Sequence, residues 1–178
     1  MGILHIDAHH DLRPAYEGFT WSHASILFNV LERIPGVAHV AQVGIRDFSE
    51  EEARIATAAG SRVSVHYDVD TKERQNEGVP FARIADDVVD ALPERVYLTF
   101  DVDGLDPLLC PGTGTPVPGG LAWHEVTALL QALVRSGRTI VGGDLVEVAP
   151  QAGDREWNAN VGARLLYKMI GYALRAHA

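Results

Sequence analysis

The chain has 178 residues and a formal net charge of −9. This length is enough for one α/β domain with a sizeable hydrophobic core, and we expect a single domain over residues 1–178. The negative charge argues against binding to nucleic acid or to an anionic membrane surface, because both are themselves negative. Cys110 is the only cysteine, so no internal disulfide can form, and we expect a cytoplasmic protein in a reducing compartment.

Apolar runs typical of strands alternate with amphipathic patterns typical of helices along the chain. The predicted strands cover residues 2–6, 37–45, 62–67, 95–100 and 139–148. The predicted helices cover residues 22–34, 49–59, 80–91, 122–136 and 157–176. Ser49 and Glu52 predict a capping box at the start of the second helix. The alternation predicts a three-layer α/β/α fold, in which helices cover both faces of a mostly parallel sheet.

A long irregular segment, residues 104–120 (GLDPLLCPGTGTPVPGG), follows the fourth predicted strand. It is too rich in Gly and Pro for a helix or a central strand. Asp106 and Pro107 predict a turn within it. A loop of this length inside a compact domain is usually functional.

Carboxylates follow three of the predicted strands. Asp7 comes after the first strand, Asp101 and Asp103 come after the fourth, and Glu147 lies at the end of the fifth. In open parallel sheets, ligands bind at the carboxyl ends of the strands. Carboxylates gathered at one edge repel each other unless cations lie between them, so the pattern predicts a cation site.

The first of these motifs is D-A-H-H-D, residues 7–11. Asp7, His9 and Asp11 alternate and could project to one side of an extended segment, which would leave His10 turned away. Carboxylate oxygens with one imidazole suit a hard or borderline divalent ion such as Mn²⁺. The alternative is an ordinary polar loop after a strand.

The second motif is T-F-D-V-D-G-L-D-P, residues 99–107. Asp101 and Asp103 alternate at a strand end, an arrangement that can share two ions. A D-x-D pair also holds nucleotide-bound metal in glycosyltransferases and the nucleophile in haloacid-dehalogenase-type phosphatases. The phosphatases carry Thr or Val shortly after the second Asp, whereas this chain has Gly104 and Leu105 there.

Together, D-x-H-x-D and D-x-D-x-x-D-P resemble the ureohydrolase superfamily, which includes arginases and agmatinases. PGTGTPVPGGL (111–121) is similar to the agmatinase form of the loop behind the second motif. LVEVAP (145–150) is similar to the strand that carries the family's substrate-binding Glu. WSHAS (21–25) falls where the family places a His. The resemblance covers nearly the whole chain and implies an arginase-like α/β fold.

The resemblance also implies a binuclear manganese hydrolase that cleaves the guanidino group of a linear amidine and releases urea. Asp7 and Asp101 would bridge two Mn²⁺ ions. Asp11 would complete the ligands of one ion, and His9 with Asp103 those of the other. A water activated by the two ions would attack the guanidinium carbon.

The same resemblance assigns roles beside the metal ions. Glu147 would pair with the substrate guanidinium, whose planar fork of donors fits a carboxylate. His23 would transfer a proton to the leaving amine or from bulk water. The alternatives are that His23 caps the following helix and that Glu147 is a surface acid.

The sequence departs from the family before the first motif. The family has an upstream Gly-Gly-Asp-His motif, whose His binds the ion also held by Asp11. Only MGILHI precedes Asp7 here, so we expect a chain truncated at the N-terminal side, with one incomplete metal site. His5 and His10 are nearby imidazoles, but His5 and His39 lie within strands and are expected to be packing residues.

The PGTGTP loop favours an agmatinase-like substrate, and Arg13 near the first motif argues against an arginase. If Arg13 points into the cleft, it favours a substrate that carries a carboxylate; the alternative is an ion pair with Glu17 or a clustered aspartate. The other functions that stay open are a guanidinobutyrase, a formimidoylglutamase, an arginase, or a non-catalytic fragment or homologue that binds metal weakly. We expect a small-molecule guanidino substrate, no nucleic-acid or membrane partner, and a homo-oligomer.

Overall fold

Five apolar runs form one sheet in the computed structural model, which describes residues 1–176. The strand order is β3-β2-β1-β4-β5, and every neighbouring pair is parallel. The strands are β1 (Gly2–Ile6), β2 (His39–Ile45), β3 (Val63–Tyr67), β4 (Arg95–Asp101) and β5 (Thr139–Val146). The helices are α1 (Ile26–Arg33), α2 (Glu50–Ala58), α3 (Asp68–Asn76), α4 (Phe81–Asp90), α5 (Trp123–Arg135) and α6 (Trp157–Ala176). Short 3₁₀ helices cover His23–Ser25, Gly60–Arg62 and Val102–Gly104.

Two hydrophobic clusters show that helices cover both faces of the sheet. One cluster joins β1, β2 and β4 to α4, α5 and α6, and includes Leu4, Phe100, Ile84, Leu129 and Leu165. The other joins the opposite face of β1 and β2 to α1 and α2, and includes Ile3, Val40, Leu27 and Ala56. Successive residues of β1, such as Ile3 and Leu4, therefore pack on opposite faces of the sheet, as expected for a strand buried on both sides. The predicted three-layer parallel fold is confirmed.

The first helix and the last strand differ from the predicted ranges. The region 22–34 divides into the 3₁₀ turn His23–Ser25 and the α-helix α1. The strand predicted over 139–148 ends at Val146, because Glu147 has a positive φ of 63° that no strand continues. The capping box is confirmed: the Ser49 hydroxyl accepts from Glu52 N, and the Glu52 carboxylate accepts from Ser49 N.

The sequence analysis missed α3. Its sequence, DVDTKERQN, has no apolar periodicity, and only Asp68 and Thr71 are buried. Polar contacts hold it instead: Lys72 Nζ lies 2.9 Å from a carboxylate oxygen of Glu125 on α5, and Gln75 donates to the same carboxylate. Tertiary partners therefore stabilise a helix that its own pattern does not indicate.

The long loop over residues 104–120 is fastened by Arg46, which directly follows β2. Asp106 forms the predicted turn by accepting from the backbone N of Leu108 at 2.8 Å. The Arg46 guanidinium donates to four backbone carbonyls, those of Gly44, Asp103, Leu105 and Val117. The carbonyls belong to β2, to the second acidic motif and to the loop, so one side chain ties the three together.

A glycine allows this close approach. Gly120 has a φ of 98°, and a Cβ added there would lie 2.7 Å from the carbonyl oxygen of Leu105 and 2.9 Å from Nη2 of Arg46. The GG pair at the end of the loop is thus required by space as well as by conformation.

Within residues 1–176, no helix combines the length and the apolar character that crossing a membrane requires.

Arg46→Met should lower the free energy of unfolding by about 2–4 kcal/mol, because several carbonyls lose a charged hydrogen-bond donor. Arg54→Met is the matched control. Its guanidinium is exposed and lies 3.8 Å from Glu50 in an i,i+4 pair, so a loss under about 0.5 kcal/mol is expected. Urea unfolding measures both variants, and equal losses would contradict the role given to Arg46.

Candidate metal centre

A cavity of about 400 Å³ opens at the carboxyl ends of β1, β4 and β5. Every site residue predicted from the sequence lines it, namely Asp7, His9, Asp11, Arg13, His23, Asp101, Asp103 and Glu147. Residues that are far apart in the sequence therefore meet at one edge of the sheet, as the parallel topology requires.

The first motif leaves β1 in a sharp turn. Asp7 is buried, and its Oδ1 accepts a hydrogen bond from the backbone N of His9 at 2.6 Å. Asp11 has a φ of 55°, and its carbonyl oxygen accepts from the backbone N of Leu27 and of Phe28, in the first turn of α1. The start of α1 thus holds Asp11 in a backbone conformation that side-chain-bearing residues seldom adopt.

The second motif packs directly against the first. Asp103 lies in the 3₁₀ turn after β4, where its Oδ1 accepts from the backbone N of Ala8 at 3.0 Å and its Oδ2 accepts from the Thr115 hydroxyl at 3.2 Å. A Cβ on Gly104 would lie 2.9 Å from the backbone N of Asp7. The glycine after D-x-D therefore lets the two acidic turns approach backbone to backbone.

Two groups of side chains have the spacing of metal ligands. In the first group, ligand atoms of Asp7, His9 and Asp103 all lie within 4.8 Å of one another. In the second, those of His5, Asp7 and Asp11 do so. Asp7 belongs to both groups, and Asp101 lines the same cavity outside them. Carboxylate and imidazole donors around a shared carboxylate fit a pair of divalent cations.

Burial and charge repulsion raise the pKa of two of the clustered carboxylates, Asp11 and Asp101. Burial and the charge of Asp7 raise the pKa of Asp11 to about 7. Burial, with the charges of Asp7 and Asp103, raises the pKa of Asp101 to about 9. Burial also disfavours the charged form of Asp7, but the imidazoles of His5 and His9 outweigh it and hold its pKa far below the usual range. Without added positive charge, the cluster cannot ionise fully at neutral pH.

The pKa of His9 is raised as well, which for an imidazole favours the charged form. Burial works against its charged form, but hydrogen bonds and charge attraction from Asp103 and Asp7 raise its pKa to about 10. Its Nδ1 lies 3.2 Å from an oxygen of Asp103 and 3.3 Å from one of Asp7. Two carboxylates at this spacing favour a positive charge between them.

His5 is a buried residue of β1, as predicted, and it also contacts the first acidic motif. Its side chain is buried, and its Nε2 lies 2.9 Å from Oδ2 of Asp7. The signal was present in the sequence, since residues 5 and 7 of an extended chain share one face. His39, by contrast, contacts Ser61 and Ser64 away from the cavity, and His10 is buried with its Nδ1 bonded to Gln42.

Three predicted residues lie at the cavity rim. His23 is exposed, makes an edge contact with the ring of Tyr16, and its side chain does not cap the following helix. The carboxylate of Glu147 is exposed and, among residues 1–176, has neither a hydrogen-bond nor an ion-pair partner. Arg13 pairs with Glu52, at 3.6 Å, and not with Glu17 or a clustered aspartate.

Two further residues of the cavity were not recognised as such in the sequence. Glu52, identified only as a helix cap, also lines the cavity and is buried. Asp47 lies at the mouth, with its carboxylate 3.7 Å from Nε2 of His9. Only packing of α2 and the end of β2 against the first motif brings them there.

The arginase family profile matches residues 1–171. The N(1)-aminopropylagmatine ureohydrolase of Thermus thermophilus is 37% identical over 171 residues, which cover 95% of this chain and 53% of that protein. The agmatinase of Bacillus subtilis is 33% identical, over 96% of this chain and 54% of that protein. The structure of proclavaminate amidino hydrolase from Streptomyces clavuligerus superposes with a TM-score of 0.83 at 29% identity, over 99% of this chain and 57% of that one.

The chain thus spans about half the length of the relatives that it matches. The matched residues, the fold and both acidic motifs all indicate the same family. The chain belongs to the arginase family.

Proposed function

We propose that this chain carries the centre of a binuclear manganese hydrolase that cleaves a guanidino group from a linear, agmatine-like amidine and releases urea. The observation that carries the proposal is the position of Asp7, whose carboxylate has ligand spacing both to His9 with Asp103 and to Asp11, in a cavity with a free carboxylate at its rim.

The chain's own residues would divide the metal ligands between two ions. Asp7 and Asp101 would be shared, Asp11 would complete one set, and His9 with Asp103 would complete the other. Hard carboxylate oxygens with an imidazole are better ligands for Mn²⁺ than for a metal that prefers thiolate ligands. When bound, such ions lower the pKa of a water toward neutrality and so supply a nucleophile.

Glu147 would hold the substrate. Its carboxylate lies on the same cavity as Asp101 and Asp103, and no cation among residues 1–176 neutralises it. A planar guanidinium offers two parallel N–H donors to such a carboxylate. The positive φ of 63° fixes where the side chain leaves the end of β5, so the binding group is placed by the backbone.

His23 would move the proton. Its exposed imidazole at the rim can exchange protons with bulk water, and it lines the same cavity as Asp101 and Glu147. A histidine side chain placed there can act as the general acid that donates a proton to the leaving amine.

The charges that line the cavity favour a substrate with positive charge at both ends. Among residues 1–176, Arg13 is the only Lys or Arg that lines the cavity, and Glu52 already pairs with it. Asp47 and Glu147 add negative charge at the mouth and rim. Agmatine, a guanidine with a distal amine, fits this field better than arginine or a guanidino acid, whose carboxylate would be repelled. The names of the relatives from Thermus thermophilus and Bacillus subtilis also point to agmatine-type substrates.

With Mn²⁺ present, urea release should be faster from agmatine than from arginine, guanidinobutyrate or guanidinopropionate. Glu147→Gln should lower kcat/KM for agmatine about 100-fold, roughly 2.7 kcal/mol, because the charged pairing is lost. Bound manganese, measured by metal analysis, should not change.

Glu156→Gln is the matched control, since Glu156 is also an exposed glutamate with a φ of 63°. It should leave kcat/KM unchanged. Loss of manganese from Glu147→Gln would show that Glu147 is a metal ligand, and faster urea release from arginine than from agmatine would contradict the substrate assignment.

In EDTA, the free energy of unfolding should fall as the pH rises from about 5 to about 8.5. Asp11 and Asp101 keep their protons to about pH 7 and about pH 9 in the folded chain, against an ordinary value of 3.8. Their stabilising contribution is therefore complete below about pH 4 and is lost as the pH rises through the folded values. His9 adds to this trend, since its contribution is present below 6.5 and lost through about 10.

Urea unfolding of Asp101→Asn, which mimics the protonated acid, should show a flatter pH dependence than that of the parent chain. Asp106→Asn changes the turn residue outside the cavity and should keep the parent slope. Added Mn²⁺ should raise the melting temperature more at about pH 8.5 than at about pH 5.5, because ions bind the deprotonated ligands. An unchanged slope in Asp101→Asn would contradict the repulsion that we infer.

A further inference from the structure

A chain of buried hydrogen bonds leads from β3 across β2 and β1 to the carboxylate of Asp7. We propose that His5 is a positioning residue, which donates its Nε2 hydrogen to Asp7 and holds this carboxylate ready to bridge two cations. Gln42 selects the tautomer of His5 that can do so. The inference rests on the proposed metal-binding role of Asp7 and goes beyond it, because it concerns side chains that bind neither metal nor substrate.

The amide orientation of Gln42 is fixed by a backbone carbonyl. Gln42 lies opposite His5 in the register of β1 and β2 and is fully buried. Its side-chain nitrogen lies 2.8 Å from the carbonyl oxygen of His10. A carbonyl can only accept a hydrogen bond, so the group facing it must be the NH₂ end of the amide. The reverse orientation would place two oxygens against each other.

This orientation determines the tautomer of His5. The second hydrogen of the Gln42 NH₂ group points at Nδ1 of His5, 3.1 Å away, so Nδ1 must be the acceptor. Burial works against the charged form of His5, and the charge of Asp7 raises its pKa. A second ring proton on Nδ1 would, however, point at the Gln42 NH₂ group, so this geometry keeps His5 neutral, with its proton on Nε2 and donated to Oδ2 of Asp7 at 2.9 Å. With its lone pair on Nδ1 and a hydrogen on Nε2, His5 is a donor to Asp7 and not a metal ligand, although its spacing would allow either role.

The other end of the amide is satisfied in the same way. The Gln42 oxygen accepts from Nδ1 of His10 at 2.7 Å, and Nε2 of His10 faces the hydroxyl of Tyr67 at 3.4 Å. His10 is completely buried beside the rings of Tyr67 and Phe48. Every polar atom in this buried set has a partner, which is the condition for such a network to be stabilising and rigid.

These hydrogen bonds orient the carboxylate of Asp7. Its Oδ2 accepts from His5 and its Oδ1 accepts from the backbone N of His9. A carboxylate offers about two acceptor positions on each oxygen, so a second position remains on each; the one on Oδ1 faces Nδ1 of His9 at 3.3 Å, and His9 is itself a proposed ligand. Hydrogen bonds that fix a ligating group in this way typically carry a tenfold to hundredfold share of metal affinity.

Nitrogen-15 NMR of the histidine side chains in the metal-free chain tests the tautomers directly. We expect the hydrogen on Nε2 in His5 and on Nδ1 in His10. A His5 that carries its hydrogen on Nδ1, or on both nitrogens, would overturn the inference. This measurement needs no substitution, so it decides the matter even if a variant fails to fold.

Titration with Mn²⁺ by calorimetry tests the consequence. His5→Phe keeps a ring of similar size but removes the donor, and it should weaken Mn²⁺ binding about tenfold to hundredfold with unchanged stoichiometry. His39→Phe is the control, since His39 is also a hydrogen-bonded strand histidine but lies away from the cavity, and it should bind Mn²⁺ like the parent chain.

An affinity of His5→Phe equal to that of His39→Phe would overturn the positioning role and leave the proposed function standing. A loss of one bound ion per chain in His5→Phe would make His5 a ligand and also overturn it. No Mn²⁺ binding by the parent chain would overturn the proposed function together with this inference.

Discussion

Repulsion among buried carboxylates is the constraint on which the rest of this structure depends. Parallel strands deliver Asp7, Asp101 and Asp103 to one edge of the sheet, where burial leaves little water to screen them. Burial, together with the charges of Asp7 and Asp103, raises the pKa values of Asp11 and Asp101. Under the proposed function, divalent cations would offset this repulsion, so the same charges would provide the affinity for metal.

The surrounding fold keeps these charges from moving apart. Gly104 lets the two acidic turns pack backbone to backbone, and Arg46 ties the second turn to β2 and to the long loop. Asp11 is held in a left-handed conformation by the first turn of α1, and Glu147 leaves β5 in a similar conformation. Among residues 1–176, two of the five non-glycine residues with a positive φ, Asp11 and Glu147, line the cavity, where such a conformation can serve function.

Much of the fold and of the cavity follows from local patterns in the sequence. Apolar runs of strand length and amphipathic runs of helix length give the layers, and strand ends give the edge at which Asp7 and Asp101 meet. The pattern fails where partners distant in sequence decide the outcome. Helix α3 is polar and exists through contacts with α5, and Gln42 looks like any buried strand residue until its register partner His5 is known. The backbone carbonyls that accept hydrogen bonds from Arg46 likewise cannot be predicted from the sequence.

The central claim is that Asp7 is shared by two divalent cations. X-ray diffraction from crystals grown with Mn²⁺, collected at the manganese absorption edge, tests it most directly. The account predicts two anomalous peaks in the cavity, one beside Asp7, His9 and Asp103 and a weaker one, with fewer protein ligands, beside Asp7 and Asp11, with Asp101 close to both. Manganese bound away from Asp7, or a cavity without an anomalous peak, would contradict it.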